Sequence, residues 1–442
     1  MLLSIITLLA IASILLSNTK SVCADDYWPE AGSVDSKSAV VMEASTGTIL
    51  YEKHSNKAYY PASITKIMTA MLAIEYGNLS DTITFSEGAV YNTEGSSILR
   101  DVGEELSLKD CLYALMLESA NDCAYAIAEY IAGDIESFAD MMNEKAEELG
   151  CTNTHFTNPH GLPDDDHYTC AKDMALIAQA AYENEVFRAL CGTKEYILPK
   201  TNKHDELVMH NHHQMLYPLK TWAYLYDYCV GGKTGYTTVA NNTLVTYAEK
   251  DGVTLICVVM NSITPAHYLD TTKLFDYYFE NYKLINAAEY EEKTRKTVSS
   301  GTFEENESFL SIDENANIII PKTVDISEIT SETEMNDSGG EVVATIHYYY
   351  AGHEVGSADV LANETAIETY EFSSASAGTG LSARGNSEQT LELLFKAVLI
   401  IIIAAAVVVV VMLFVRKRGS AGSARTEKTI EDTLHKRRRR RR

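Results

Sequence analysis

The run Phe395–Val415 limits what the rest of the chain can do more than any other feature: 21 residues with one charge, Lys396, near its outer edge. At about 1.5 Å per helical residue it would extend ~31 Å, the thickness of a bilayer's hydrocarbon core. A helix buried in a soluble core is the bland alternative. Arg416, Lys417 and Arg418 follow at once, and the last six residues are arginines. The positive-inside rule therefore places residues 416–442 in the cytoplasm as a basic tail and 25–394 outside. A second apolar run, Leu2–Leu16, gives way to a polar stretch closing on Val22-Cys23-Ala24 before Asp25. Small residues before an acidic start predict a signal peptide over 1–24, although no Lys or Arg precedes the run. An uncleaved anchor and a lipid-bearing Cys23 are the alternatives, and Val22 disfavours the second.

Charge follows the same division. The tail has 12 basic and 3 acidic residues, whereas the 370 residues before the span and after the leader hold 22 basic and 59 acidic ones, a net charge of −37. So acidic a surface excludes nucleic acid and other polyanions as partners. The arginine run suits anionic lipid headgroups as well as it suits topology. Of eight cysteines, Cys23 falls in the leader, and the odd number left argues against a disulfide framework. Cys111, Cys123 and Cys257 lie among apolar residues and read as small core residues. Cys151 and Cys170 flank a loop and can either pair or stay free.

Within the outer segment, Ala39–Met42 and Thr48–Tyr51, joined by Ala44-Ser45-Thr46-Gly47, read as a hairpin. Pro61-Ala62 leads into a helix whose apolar residues Ile64, Ile67, Met68, Met71, Leu72 and Ile74 recur at helical spacing, with Gly77 as its stop. Ser107 with Asp110 three residues on predicts the start of a second helix; Ser119-Ala120-Asn121 punctuates its end, and Cys123–Ile131 forms the next. Val230–Ala240, Thr243–Tyr247 and Thr254–Met260 alternate as antiparallel strands, with a turn at Lys250-Asp251-Gly252. This order predicts an α+β fold over 25–285, an antiparallel sheet flanked by helices. From 286 to 370 short runs such as Asn317–Ile320 and Val342–Tyr349, with turns at Gly301, Gly339-Gly340 and Gly352, predict a small all-β domain. Residues 371–394, rich in Ser, Ala and Gly, read as a flexible linker.

Three motifs stand in order within the first domain: Ser63-Ile64-Thr65-Lys66, Ser119-Ala120-Asn121 and Lys233-Thr234-Gly235. A lone S-x-x-K is weak, since average usage gives roughly one or two by chance in a chain this long. Ser17-Asn18-Thr19-Lys20 in the leader is one such match. Singly, the serine reads as a helix cap, the lysine as a solvated side chain and Lys-Thr-Gly as a turn. Together they make a nucleophile with its support. Ser63 at a helix start has free backbone N–H groups and the positive end of the macrodipole beside it. Lys66, three residues on, shares its face, with Cβ atoms about 5–6 Å apart. If its pKa is lowered by burial or by Lys233, Lys66 is a base; if it stays charged, it acts only electrostatically. Ser119 is placed to relay a proton to a leaving amine, and Asn121 to hold an acyl-side amide. Lys233 and Thr234 on an edge strand suit a terminal carboxylate, and Gly235 lets a substrate backbone come close.

Two other clusters carry less. His204, His210, His212 and His213 lack a metal-binding spacing, and Asp205 and Glu206 beside them fit a solvated loop, so no metal or cofactor is expected. Asp164-Asp165-Asp166 reads as a solvated turn, and His160 in Asn158-Pro159-His160-Gly161 as a loop residue bordering the site.

This motif order is a general property of penicillin-binding proteins and class A β-lactamases. Residues 41–75, 107–131, 158–178 and 231–252 narrow it: they resemble low-molecular-mass penicillin-binding proteins of the serine-type D-alanyl-D-alanine carboxypeptidase family (peptidase S11-like). The likeness is dense from about residue 33 to 283 and fades by about 365. It implies the β-lactamase/transpeptidase-like architecture with a small β domain, and an enzyme outside a bacterial membrane; many relatives attach by an amphipathic C-terminal helix, whereas the single-pass anchor expected here is read from this sequence's own apolar run. Such an enzyme removes the terminal D-alanine from peptidoglycan stem pentapeptides ending in D-Ala-D-Ala, and β-lactam antibiotics such as penicillin block it covalently. Ser63, Lys66 and Ser119 would be catalytic. Asn121, Lys233, Thr234, Gly235 and Tyr236 would bind substrate, with the backbone N–H groups of Ser63 and Tyr236 as the oxyanion hole. Two positions depart: His267 stands where relatives commonly carry arginine, and His213 where they carry asparagine, which implies weaker or pH-dependent recognition of the substrate carboxylate. A β-lactamase is the nearest rival, but no Glu-x-x-x-Asn loop is present and Ala120 stands where class A enzymes usually have aspartate. An idle wall-binding module is the other, and the complete motif set weighs against it.

Overall fold

Apolar and β-branched residues build the first hairpin where the alternation predicts it, as β1 (Ser38–Glu43) and β2 (Ile49–Lys53). The structure, a computed structural model, describes residues 28–298, 310–336 and 341–362. The expected leader, linker, membrane span and basic tail lie outside them. Among the described residues no helix is long and apolar enough to cross a membrane.

A 3-10 turn at Ala62–Thr65 opens a helical segment: α1 (Lys66–Tyr76), β3 (Thr82–Thr84), α2 (Glu87–Tyr91), β4 (Glu105–Ser107), α3 (Leu108–Leu117), α4 (Asn121–Ala132), α5 (Ile135–Glu148), α6 (Ala171–Glu183) and α7 (Glu185–Gly192). Ser107 caps α3 as its spacing predicts, its hydroxyl accepting from the Asp110 amide at 3.1 Å. Asp134 and Asn184 do the same for α5 and α7. A small hairpin, β5 (Glu195–Leu198) and β6 (Leu207–His210), precedes the long strands β7 (Cys229–Thr237), β8 (Asn241–Lys250) and β9 (Val253–Ser262), followed by α8 (Ala266–Asn281). Between β8 and β9 the chain reverses through Asp251 and Gly252, both at positive φ, the backbone that a tight hairpin turn requires.

These long strands return to the first hairpin, giving one antiparallel sheet in the order β2-β1-β9-β8-β7. Both faces are buried. Val40, Met42, Val245, Tyr247, Ile256 and Val258 share a core with α1, α3, α4 and α6. Ala39, Val41, Leu244, Leu255, Cys257 and Val259 face the core beneath α8. Burial on both sides is why the central strands read as nearly unbroken apolar runs. β7 stands at one edge, and it carries Lys233, Thr234 and Gly235.

Beyond α8, β10 (Tyr282–Asn286) leads into α9 (Ala287–Val298), then β11 (Leu310–Ile312), β12 (Asn317–Pro321), β13 (Thr330–Met335), β14 (Val342–Tyr350) and β15 (His353–Ala362). β10 pairs with β12, and the others form a sheet in the order β11-β15-β14-β13. Ile319 turns into the core beneath α8, whereas Ile318 and Ile320 join Tyr290, Tyr348 and Val355 in a third core. The strands expected at 317–320 and 342–349 are present, but α9 departs from an all-β reading. Its sequence is mostly good helix formers, and Asn286 starts it by accepting from the Glu289 amide at 3.0 Å.

Cys111, Cys123 and Cys257 are fully buried, as expected. Cys151 and Cys170 are free, so the pairing left open in the sequence does not form. The Cys170 sulfur instead caps α6 by accepting from the Asp173 amide at 3.4 Å, while Cys151 turns to the Asp173 carbonyl.

Candidate active site

Ser63 lies one turn ahead of α1, inside the 3-10 segment. The turn is held tightly. Ala62 has φ +51, a left-handed conformation unusual for a residue with a side chain, and Thr243 on β8 anchors the preceding carbonyl by donating to Pro61 O at 2.7 Å. Behind it, Thr65 meets His167 Nε2 at 3.0 Å, and Thr69 donates to Pro159 O at 2.6 Å. The loop Asn158–Gly161 is thereby stitched to α1. Gly161 has φ +84, and a Cβ there would run into the Ala62 carbonyl. On the opposite side β7 passes close: a Cβ on Gly235 would lie 2.8 Å from the Ser63 amide and collide with Thr243 Oγ1.

Lys66 begins α1 and is fully buried. Its Nζ is 3.1 Å from Ser63 Oγ, 2.7 Å from Asn121 Oδ1 and 2.6 Å from the His160 carbonyl. The Asn121 orientation is determined by its other end, whose Nδ2 donates to the Glu94 carbonyl, a group that can only accept. Two of the three neighbours of Lys66 are thus pure acceptors, and they are the two closer ones. A neutral amine has two N–H donors and one lone pair, which matches two acceptors and the Ser63 hydroxyl. Burial holds the Lys66 pKa well below the usual lysine range, the nearby Lys233 ammonium lowers it further, and Asp122 only partly opposes them.

Ser119 is also left-handed, at φ +59, just after α3 ends. Its Oγ accepts from Lys233 Nζ at 3.1 Å, and Lys233 also donates to the Thr234 carbonyl at 2.9 Å. Burial pushes the Lys233 pKa down to about 7. Seven expected residues therefore lie together at the β7 edge: Ser63, Lys66, Ser119, Asn121, Lys233, Thr234 and Gly235. Tyr236, the next on β7, projects its side chain outward at 65% exposure. Sequence reasoning missed the carbonyls of Glu94 and His160, because backbone acceptors leave no residue signature.

The histidines separate. His204 meets Glu104 at 2.8 Å, His210 lies 3.1 Å from Glu195, and His212 meets Glu118 at 3.0 Å. His213 is buried against β8, at 3.0 Å from Thr246 Oγ1. His160 packs beside Lys66, and Asp164–Asp166 form an exposed turn. At the departures, burial pushes His213 down to about 3 and His267 down to about 4. His267 lies over Tyr268 with ring centroids 3.9 Å apart. Both rings are neutral around pH 7, so neither supplies a cation to a substrate carboxylate there.

Residues 25–264 match the profile of peptidase S11, D-alanyl-D-alanine carboxypeptidase. The chain belongs to the peptidase S11 family. The D-alanyl-D-alanine carboxypeptidase DacF of Bacillus subtilis (strain 168) is 35% identical over 314 residues, spanning 69% of this chain and 77% of the relative. DacC of Escherichia coli (strain K12), also a D-alanyl-D-alanine carboxypeptidase, is 27% identical over 77% of this chain and 86% of its own. Among solved structures, penicillin binding protein 5 from Haemophilus influenzae superposes with a TM-score of 0.61 at 25% identity, covering 76% of this chain and 98% of that one. A mutant of the Streptomyces K15 DD-transpeptidase gives 0.52 at 30% identity, over 56% and 99%. The shared fold is a mixed α/β one built on antiparallel sheets. For this S11 chain, the contact of Gly161 with Ala62 leads to one expectation: Gly161→Ala should lose about 2–4 kcal/mol of stability, from left-handed strain plus overpacking. Urea denaturation measures it, and an unchanged midpoint would contradict the packing described.

Proposed function

We propose that this chain is a serine-type D-alanyl-D-alanine carboxypeptidase that removes the terminal D-alanine of peptidoglycan stem peptides through an ester on Ser63. One observation carries the site-level reading: a buried amine, Lys66, has two acceptors for its two N–H groups and its third contact is the Ser63 hydroxyl. Ser63 Oγ attacks the carbonyl carbon of the penultimate D-alanine, and its proton passes to Lys66 Nζ. Backbone N–H groups of Ser63 and Tyr236 receive the oxyanion, each such donor worth about 2.7–4 kcal/mol in comparable sites. As the C–N bond breaks, the proton taken up by Lys66 passes through Ser119, which Lys233 holds, to the departing D-alanine amine, and Lys66 is neutral again. Lys233 and Thr234 take the terminal carboxylate. Asn121 Nδ2 keeps one N–H free of Glu94 for the acyl-side carbonyl. Water then hydrolyses the ester with Lys66 as base. A β-lactam enters by the same attack, but its ring fragment stays tethered and obstructs that water.

The same reading gives the chain a signal peptide (1–24), a catalytic domain (25–285), a small β-rich domain (286–370), a linker (371–394), a single membrane span (395–415) and a cytoplasmic tail (416–442). The apolar run and the arginines support it. Protease added to intact cells should leave the arginine tail in place, and its removal would refute the topology.

For the chemistry, a D-Ala-D-Ala peptide should release D-alanine over many turnovers, while penicillin forms a long-lived adduct that peptide mapping finds on Ser63. Lys66→Ala should lose both reactions while keeping a cooperative melt. Rapid penicillin turnover without peptide cleavage would establish a β-lactamase instead. Failure to acylate with either ligand would favour an idle binding module.

A further inference from the structure

Glu118 precedes Ser119, and the mechanism above does not use it. Ser119 needs outside support, because a left-handed conformation in a residue with a side chain persists only where neighbours enforce it. On one side that support is backbone: the Glu118 and Ala120 amides both donate to Ala114 O, at 3.1 and 3.2 Å, and the Asn121 amide donates to Ser96 O at 2.8 Å. On the other side it is the Glu118 carboxylate. Oε1 accepts from the His210 amide at 2.8 Å, and Oε2 lies 3.0 Å from His212 Nε2.

The segment those contacts grip runs on to β8. Asn211 is anchored by donating to the carbonyls of Cys191 and Thr193, and its Oδ1 accepts from the His213 amide at 2.9 Å. The His213 ring then reaches Thr246 Oγ1 at 3.0 Å and the Val245 carbonyl at 3.2 Å. Val245 is the residue directly opposite Lys233 in the β7–β8 ladder. A closed ring results: Ser119 to Glu118, across to His210–His213, onto Val245, over to Lys233, and back through the 3.1 Å bond from Lys233 to Ser119.

We infer that Glu118 is a positioning residue for this reaction, its carboxylate strapping the Ser119 turn to the strand behind Lys233 so that the Lys233–Ser119 bond keeps its length. This rests on the assignment of Ser119 and Lys233 to the reaction. Both Glu118 oxygens are engaged by the His210 amide and the His212 ring, so its loss is expected in the chemical steps and not in binding. Misplacing a reacting group by about 1 Å can cost up to roughly a hundredfold in rate.

The experiment compares Glu118→Ala, Glu118→Gln, His212→Ala and Ser119→Ala in the full chain, using D-alanine release from a D-Ala-D-Ala peptide and the rate of penicillin acylation. Glu118→Ala is expected to lower kcat and acylation by about ten- to a hundredfold, with KM within about twofold. Glu118→Gln keeps an acceptor for the His210 amide and should recover most of that rate. His212→Ala removes a half-exposed ring and should fall between them. Adding it to Glu118→Ala should cost nothing further, as for two members of one unit. If Ser119→Ala keeps the full rate, the underlying assignment fails, and the inference with it. If Ser119→Ala loses rate while Glu118→Ala and His212→Ala do not, the inference alone is overturned. Should Glu118→Ala not melt cooperatively, His212→Ala decides between the same two outcomes.

Discussion

Everything in this site depends on one buried amine. Lys66 lies in a place that disfavours an ammonium ion: it is sealed from solvent, with a second lysine nearby and, among the described residues, Asp122 as the one carboxylate opposing. An amine in such surroundings gives up its proton more readily than a solvated lysine. What makes the release useful is the arrangement of partners. Asn121 Oδ1 and the His160 carbonyl accept two of its N–H groups, so loss of a proton leaves the lone pair facing Ser63 Oγ, 3.1 Å away. Without the Glu94 carbonyl, the Asn121 amide could rotate and offer a donor where the amine needs an acceptor.

The topology explains how residues so far apart in the chain meet. β1 pairs with β9, so the first hairpin and the last strands form one sheet, and the helical segment between them folds onto one face. That closure brings the 3-10 turn after β2 against the β7 edge, where Gly235 is small enough for the Ser63 amide to approach. α3 and α4 then supply Ser119 and Asn121 from above the same face. Two left-handed residues, Ala62 and Ser119, mark the points where the chain is bent to bring functional groups inward. Such strain is tolerated because the surrounding packing leaves no alternative.

Much of this was readable from the residues, for identifiable reasons. Helical spacing located α1, the Ser107–Asp110 pair located the start of α3, and the apolar runs located β8 and β9, because each signal is local. α9 is less legible because β-like runs flank it, although its Ala, Glu and Lys content favours a helix. In the site, the three motifs named the side chains, but could not show that Asn121 faces Lys66 at one end and Glu94 at the other. Nor could they show that Ser119 bonds Lys233. Those facts depend on backbone carbonyls and on long-range closure. The histidine departures at 213 and 267 were visible as residue types, whereas their neutrality follows from burial that only the folded chain supplies.

The central claim is that Lys66 is a neutral base beside Ser63, and its protonation state is directly measurable. Selective isotope labelling of lysine, with Lys66→Met to assign the signal, lets NMR follow the carbon next to Nζ as pH is varied. The account predicts a neutral amine at pH 7 that takes up a proton only on acidification, well below the usual lysine value of about 10.4. A Lys66 signal that stays in the ammonium form until the pH approaches that usual value would contradict it.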